Sequence, residues 1–172
     1  MSKIQVADEP WWTPGAIKLI EDHLCNVPDP GADILEFGCG GSTVWLSRLC
    51  ASLISVDHNQ EWVDAVNQKI GDLEPLIDVY KRDRPYHTVC DKMKGDFDLV
   101  CVDGRDRIQC VQASKALVRP GGILLLDNSE REKYKPIFSM LKTWHRIETS
   151  WNYFHHLKQK RIGWSTTMWM KP

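Results

Sequence analysis

The chain lacks any stretch of the roughly 18 apolar residues that a membrane-spanning helix needs. Its opening residues, Met1-Ser2-Lys3-Ile4-Gln5, carry no apolar run, so no secretory signal is expected there. Cysteine is present but not in metal-binding order: the six residues at 25, 39, 50, 90, 101 and 110 include no C-x-x-C pair. Neither a zinc site nor a disulfide framework follows from that spacing. Most of these cysteines fall in apolar patterns, where the thiol behaves as a small buried hydrophobe. A reducing, cytoplasmic setting is therefore the expectation. Excess charge is also missing. The 22 Lys and Arg residues balance 23 Asp and Glu, leaving a net charge of -1. A dedicated nucleic-acid binder normally carries a basic excess, so that class is disfavoured. Internal repeats, low-complexity segments and linkers are absent too, and the 172 residues read as one domain.

What is present is an alternation of short apolar runs with helical patterns. Thr13 and Pro14 read as the cap and first turn of a helix carrying Ile17, Leu19, Ile20 and Leu24. Strands are predicted at residues 33–37, 53–56, 76–80, 97–102 and 123–126. Helices are predicted at 43–50, 61–70, 109–117 and 130–141, the last despite Pro136. Residues 119–122 read as a turn. The tail, 144–153 and 161–170, reads as two strands rich in β-branched and aromatic residues, joined by a polar stretch. The expected fold is α/β: a doubly wound, mostly parallel seven-stranded sheet with helices on both faces and a C-terminal antiparallel strand pair.

In such a sheet, ligands bind beyond the carboxyl ends of the strands. The first strand runs straight into Gly38-Cys39-Gly40-Gly41-Ser42-Thr43. Gly38 and Gly40 allow a sharp turn and close approach of a ligand, and Ser42 and Thr43 open the next helix, where backbone N–H groups are free. Thr43 stands where a dinucleotide fold has its third glycine. Glu36 precedes the loop; a carboxylate there would repel a pyrophosphate and suit a ligand carrying a sulfonium and an ammonium. Asp57, ending the second strand, is placed to accept hydrogen bonds from ribose hydroxyls, with His58 beside it to pack on an adenine. The alternative for Asp57 is an N-cap. Asp83 reads either as an acceptor for the adenine amino group or as a solvated loop acid.

These residues resemble the class I, Rossmann-like S-adenosylmethionine-dependent methyltransferases. The resemblance runs through Leu35-Glu36-Phe37-Gly38-Cys39-Gly40-Gly41, Ser55-Val56-Asp57-His58, Phe97-Asp98-Leu99-Val100-Cys101-Val102-Asp103-Gly104 and Leu117-Val118-Arg119-Pro120-Gly121-Gly122-Ile123. It implies S-adenosylmethionine as cofactor, with Asp103 among the cofactor-binding residues, and transfer to a small-molecule acceptor through an oxygen nucleophile. A narrower similarity, to the catechol- and caffeoyl-CoA-type O-methyltransferases, implies Mg2+ held by Asp103, Asp127 and Asn128; the alternative is that Asp103 merely faces the methyl group and Asp127-Asn128 caps a helix. The chain departs from that pattern where a lysine base is expected: Arg105-Asp106-Arg107 stands there. Asp103 and Arg105 are the candidate catalytic residues. Arg105 and Arg107 suit an anionic acceptor group, a carboxylate or phosphate, or else a solvated loop. Trp11 and Trp12 read as a cover for the site or as a hydrophobic staple. His155 and His156 read as a solvated loop, and Trp144, Trp151, Trp164 and Trp169 as core or a partner face. With no inserted lid, either the acceptor is small and the site open, or a second subunit of a homodimer completes it. Two other readings remain: an NAD(P)-dependent oxidoreductase, which Glu36 and Thr43 oppose, and a non-catalytic cofactor-binding partner subunit.

Overall fold

The computed structural model describes residues 4–71, 76–152 and 163–172. Seven strands form one sheet in the order β3-β2-β1-β4-β5-β7-β6. They are β1 (Ala32–Phe37), β2 (Cys50–Asp57), β3 (Ile77–Lys81), β4 (Phe97–Val102), β5 (Val118–Asp127), β6 (His145–Asn152) and β7 (Gly163–Met170). β1 to β5 pair in parallel, while β7 is antiparallel to both β5 and β6. The reversed strand is thus slotted between β5 and β6, and β6 forms the edge.

The helices are α1 (Pro14–Cys25), α2 (Gly41–Leu46), α3 (Gln60–Ile70), α4 (Arg107–Ser114) and α5 (Lys135–Met140). All six residues of β4 are buried, as expected for a central strand covered on both faces. Alternation divides them. Val100 and Val102 pack with Leu35, Phe37, Val111 and Ile137 on the α4–α5 face. Leu99 and Cys101 pack with Ile20, Ile34, Leu53 and Met168 on the α1 face. A third cluster joins Val6, ahead of α1, to Val63 and Val66 of α3.

Several boundaries differ from the sequence expectation. Residues 119–122 are not a free turn but lie within β5, with the Gly122 carbonyl accepting Lys171 N–H. The predicted helix over 130–141 shortens to a 3-10 turn and α5, because Pro136 fits only a first turn. A 3-10 segment, Tyr86–Lys92, follows β3; its mixed polar sequence carries no amphipathic period. Thr13 is the N-cap residue of α1, but its side chain makes no capping bond; its Oγ1 lies 2.5 Å from Thr149 Oγ1 and its N–H donates to Thr166 Oγ1. The stretch joining β6 to β7, with His155 and His156, lies outside the described residues. No described helix is long and apolar enough to cross a membrane.

A tight crossing lies at the topological switch, where β1 has β2 on one side and β4 on the other. The loops leaving β1 and β4 touch: Asp103 and Gly104 both donate to the Phe37 carbonyl, at 2.9 and 2.7 Å. Gly38 has φ +103, and a Cβ there would sit 2.5 Å from Gly104 N. Gly38→Ala therefore combines left-handed strain with backbone overlap, and should cost about 2–4 kcal/mol. Urea unfolding checks this; a loss under about 1 kcal/mol would show that the crossing can relax.

Candidate functional site

Two cavities open above the carboxyl ends of the strands. The first, of about 460 Å³, is floored by Gly38, Gly40 and Ser42 and flanked by Asp57, His58 and Asp103. The second, of about 1080 Å³, lies between the segment before α1 and the ends of β5, β6 and β7. Trp11, Asp103, Arg107 and Arg131 line both. The first falls in the ~300–1,000 Å³ range of ordinary small-ligand sites.

The residues at the first cavity are fixed from below. Asp57 is buried at the tip of β2; its Oδ1 accepts Asn59 N–H at 2.8 Å and lies 3.0 Å from His58 Nδ1. It is not the N-cap of α3: Asn59 is, accepting from Glu61 N–H. His58 stacks on the buried Tyr86, ring centroids 6.1 Å apart and planes 12° off parallel. The Tyr86 hydroxyl donates to the Arg105 carbonyl and accepts its N–H, so it pins the loop after β4. A Cβ added at Gly40 would enter open space, whereas one at Gly41 would strike the Glu9 carbonyl. The segment before α1 is thereby laid over the loop, and Gln5, Ala7 and Trp11 reach the cavity wall.

Glu36 faces inward, away from the cavity. It is fully buried and lies outside the cavity lining. Alternation along β1 puts it on the same face as Ala32 and Ile34, under α2 rather than beyond the strand end. Ser42 Oγ donates to its Oε1 at 2.5 Å; Thr43 and Ser55 donate to Oε2 at 2.6 and 2.5 Å. Burial pushes its carboxyl up, against these three hydroxyls. Thr43 also accepts Gly40 N–H at 2.8 Å. Glu36 and Thr43 thus shape the glycine loop from behind, tying β1, α2 and β2 together. Asp83 is elsewhere: it is exposed and paired with Lys81 at 2.6 Å. Of the predicted binding residues, the fold brings together Gly38, Gly40, Ser42, Asp57, His58 and Asp103. It keeps Glu36, Thr43 and Asp83 out of the lining.

Arg107 dominates the junction between the cavities. It is buried, and its Nε donates to the Gly104 carbonyl at 2.9 Å. One terminal nitrogen donates to the Asp127 carbonyl; the other donates to the Asp103 carbonyl and, at 2.8 Å, to Asp103 Oδ1. Asp127 Oδ1 accepts from Thr166 Oγ1 at 2.8 Å, and Asn128 Oδ1 accepts from Arg131 at 2.6 Å. The residues Asp103, Asp127 and Asn128 do not fit a divalent ion: a guanidinium already bridges the ends of β4 and β5, and each side chain has a donor. Among the described residues, no three His, Cys, Asp or Glu side chains group to hold a metal. Arg105 is exposed and lines the first cavity, not the second. Arg131, four residues past the end of β5, reaches both; it lies outside any strand–loop motif, so the sequence alone did not single it out.

A family model described as a methyltransferase domain matches residues 35–129, more than half of the chain. The chain belongs to that methyltransferase family. It is 29% identical, over 109 residues, to the ubiquinone biosynthesis O-methyltransferase of Xanthomonas campestris pv. campestris. That match covers 59% of this chain and 45% of the relative, so the chain spans less than half the relative's length. An S-adenosylmethionine-dependent O-methyltransferase from Thermotoga maritima superposes with TM-score 0.64 at 12% identity, over all of this chain and 69% of that one. An rRNA methylase from Streptococcus thermophilus superposes with TM-score 0.65 at 11% identity, covering 90% and 95%. At such identities these structures establish the Rossmann-like methyltransferase fold.

Burial pushes Asp103 up to about 6 and Asp127 up to about 7, Asp127 further raised by the Asp103 charge. An acid whose folded value lies above its ordinary 3.8 stabilises the fold while protonated. For Asp127 that contribution is full below about 4 and is lost as pH rises through about 7. Asp127→Asn should therefore gain stability relative to the parent between about pH 5 and pH 8, by about 1.4 kcal/mol or more, the value of one pKa unit. Urea unfolding at both pH values checks this; a difference independent of pH would contradict it.

Proposed function

We propose that this domain transfers the methyl group of S-adenosylmethionine to an oxygen nucleophile of a small-molecule acceptor. The observation that carries the proposal is the meeting of two cavities at Asp103. One is built for a nucleoside at the switch point of the sheet; the other is open to a second molecule.

The first cavity fits the donor. Gly38 and Gly40 admit its chain without a Cβ in the way, Asp57 accepts from ribose hydroxyls, and His58 offers a face to the adenine. When bound, S-adenosylmethionine supplies a methyl group on a positively charged sulfur. Asp103, reaching both cavities, offers negative potential beside that charge and a seat for the proton that the acceptor hydroxyl releases. As the new C–O bond forms, the C–S bond breaks and its electron pair stays on sulfur. Arg107 holds Asp103 and the Asp127 backbone in place, which fixes the line of attack. Arg105 contributes charge at the rim of the donor cavity. Because a guanidinium bridges the proposed metal position, the chemistry runs without Mg2+.

Calorimetric titration should show binding of S-adenosylhomocysteine and none of NAD. Asp57→Ala should weaken S-adenosylhomocysteine at least tenfold, from the loss of bonds worth about 1.5–3 kcal/mol each. Unchanged affinity would remove the ribose assignment, and heat with NAD alone would return the oxidoreductase reading. Once an acceptor is in hand, turnover after exhaustive chelation should match that with added Mg2+; a chelator-sensitive rate restored by Mg2+ would overturn metal independence.

A further inference from the structure

The second cavity carries more than a vacancy for an unnamed acceptor. Its walls hold four indoles: Trp11, Trp12, Trp151 and Trp164. Trp11 is 78% exposed and Trp151 44% exposed. Indole surface left in water is costly, and two such faces on one cavity mark a place where a flat apolar ligand is covered. Among the described residues, the cationic groups in the lining are Arg107 and Arg131, and the acidic ones are Glu9, Asp103 and Asp127. Arg107 has its nitrogens committed to four oxygens of Asp103, Gly104 and Asp127. Arg131 is different. Its side chain is 37% exposed, with one terminal nitrogen on Asn128 Oδ1 and Nε 4.0 Å from Glu130. A guanidinium has five N–H donors in a fork that matches a carboxylate. Arg131 therefore keeps donors to offer, and it stands at the junction of the two cavities.

We propose that the acceptor is a planar aromatic ring bearing a carboxylate next to the hydroxyl that takes the methyl group, with the ring among the indoles and the carboxylate on Arg131. The position of Arg131 sets the neighbouring arrangement. An anion bound there lies beside the donor cavity, so the reacting oxygen must be close to it on the ring. The acids do not forbid this: Glu9 is exposed to water, the Arg107 guanidinium 2.8 Å from Asp103 offsets part of its charge, and Asp127 turns Oδ1 toward Thr166. The inference rests on the methyltransferase reading and deepens it.

Isothermal titration of the whole protein loaded with S-adenosylhomocysteine tests it with three probes: 2-hydroxybenzoate, phenol and 2-hydroxycyclohexanecarboxylate. The expected order is 2-hydroxybenzoate tightest, at least tenfold over each of the others, which lack either the anion or the flat ring. Arg131→Gln should erase the preference over phenol, and Trp151→Ala the preference over the saturated acid. Equal affinity for the three probes on a protein that does bind S-adenosylhomocysteine would overturn this inference and leave the donor reading standing. Failure to bind S-adenosylhomocysteine at all would overturn both. The probe order in the parent protein decides the matter even if a variant fails to fold.

Discussion

The upper face of this sheet depends on one buried guanidinium. Arg107 takes the carbonyls of Asp103, Gly104 and Asp127 and one carboxylate oxygen of Asp103. Backbone carbonyls at the ends of neighbouring strands have no ladder partner left, and burying them unpaired is expensive. Arg107 satisfies three of them with a single side chain and locks β4 to β5 where their loops diverge. The charge is itself buried, which is tolerable only because the carboxylate and carbonyls surround it. Replacing it would leave Asp103 and Asp127 facing each other without a cation between them. The position of Asp103, on which both cavities depend, follows from this.

A second constraint works from the other side of the sheet. Glu36 gathers Ser42, Thr43 and Ser55 beneath the glycine loop. The loop can then be all backbone at its upper surface, where a ligand needs room. The segment before α1 closes over it, anchored by Val6 in the α3 cluster and by Asp8, which pairs with Lys69 at 2.9 Å. The first cavity is thus bounded by a strand end below and a short strap above, and the strap's Trp11 is shared with the second.

Much of this was legible in the amino-acid order. Apolar runs of strand length alternating with helical patterns give the parallel sheet, and the Gly38–Gly40 loop and Asp57 lie at the first cavity. The sequence also places Asp103 and Asp127 correctly at strand ends. What it misreads is direction. Glu36 sits next to the glycines in the chain, but alternation along β1 turns it inward, and only its three hydroxyl partners, spread over α2 and β2, reveal why. Asp103, Asp127 and Asn128 have the spacing of a metal set, yet a helix that starts two residues earlier than expected carries Arg107 between them. Arg131 illustrates the opposite failure. Nothing in its neighbourhood forms a motif, and its importance comes from the shape of two cavities, which no local pattern encodes.

The central claim is that the donor and acceptor cavities meet at Asp103. A crystal structure with S-adenosylhomocysteine tests it most directly. Ribose hydroxyls should lie within hydrogen-bond distance of Asp57, and the sulfur beside Asp103, turned toward the cavity lined by Trp12 and Arg131. A nucleoside bound with its ribose away from Asp57, or a sulfur pointing away from the tryptophan-lined cavity, would contradict it.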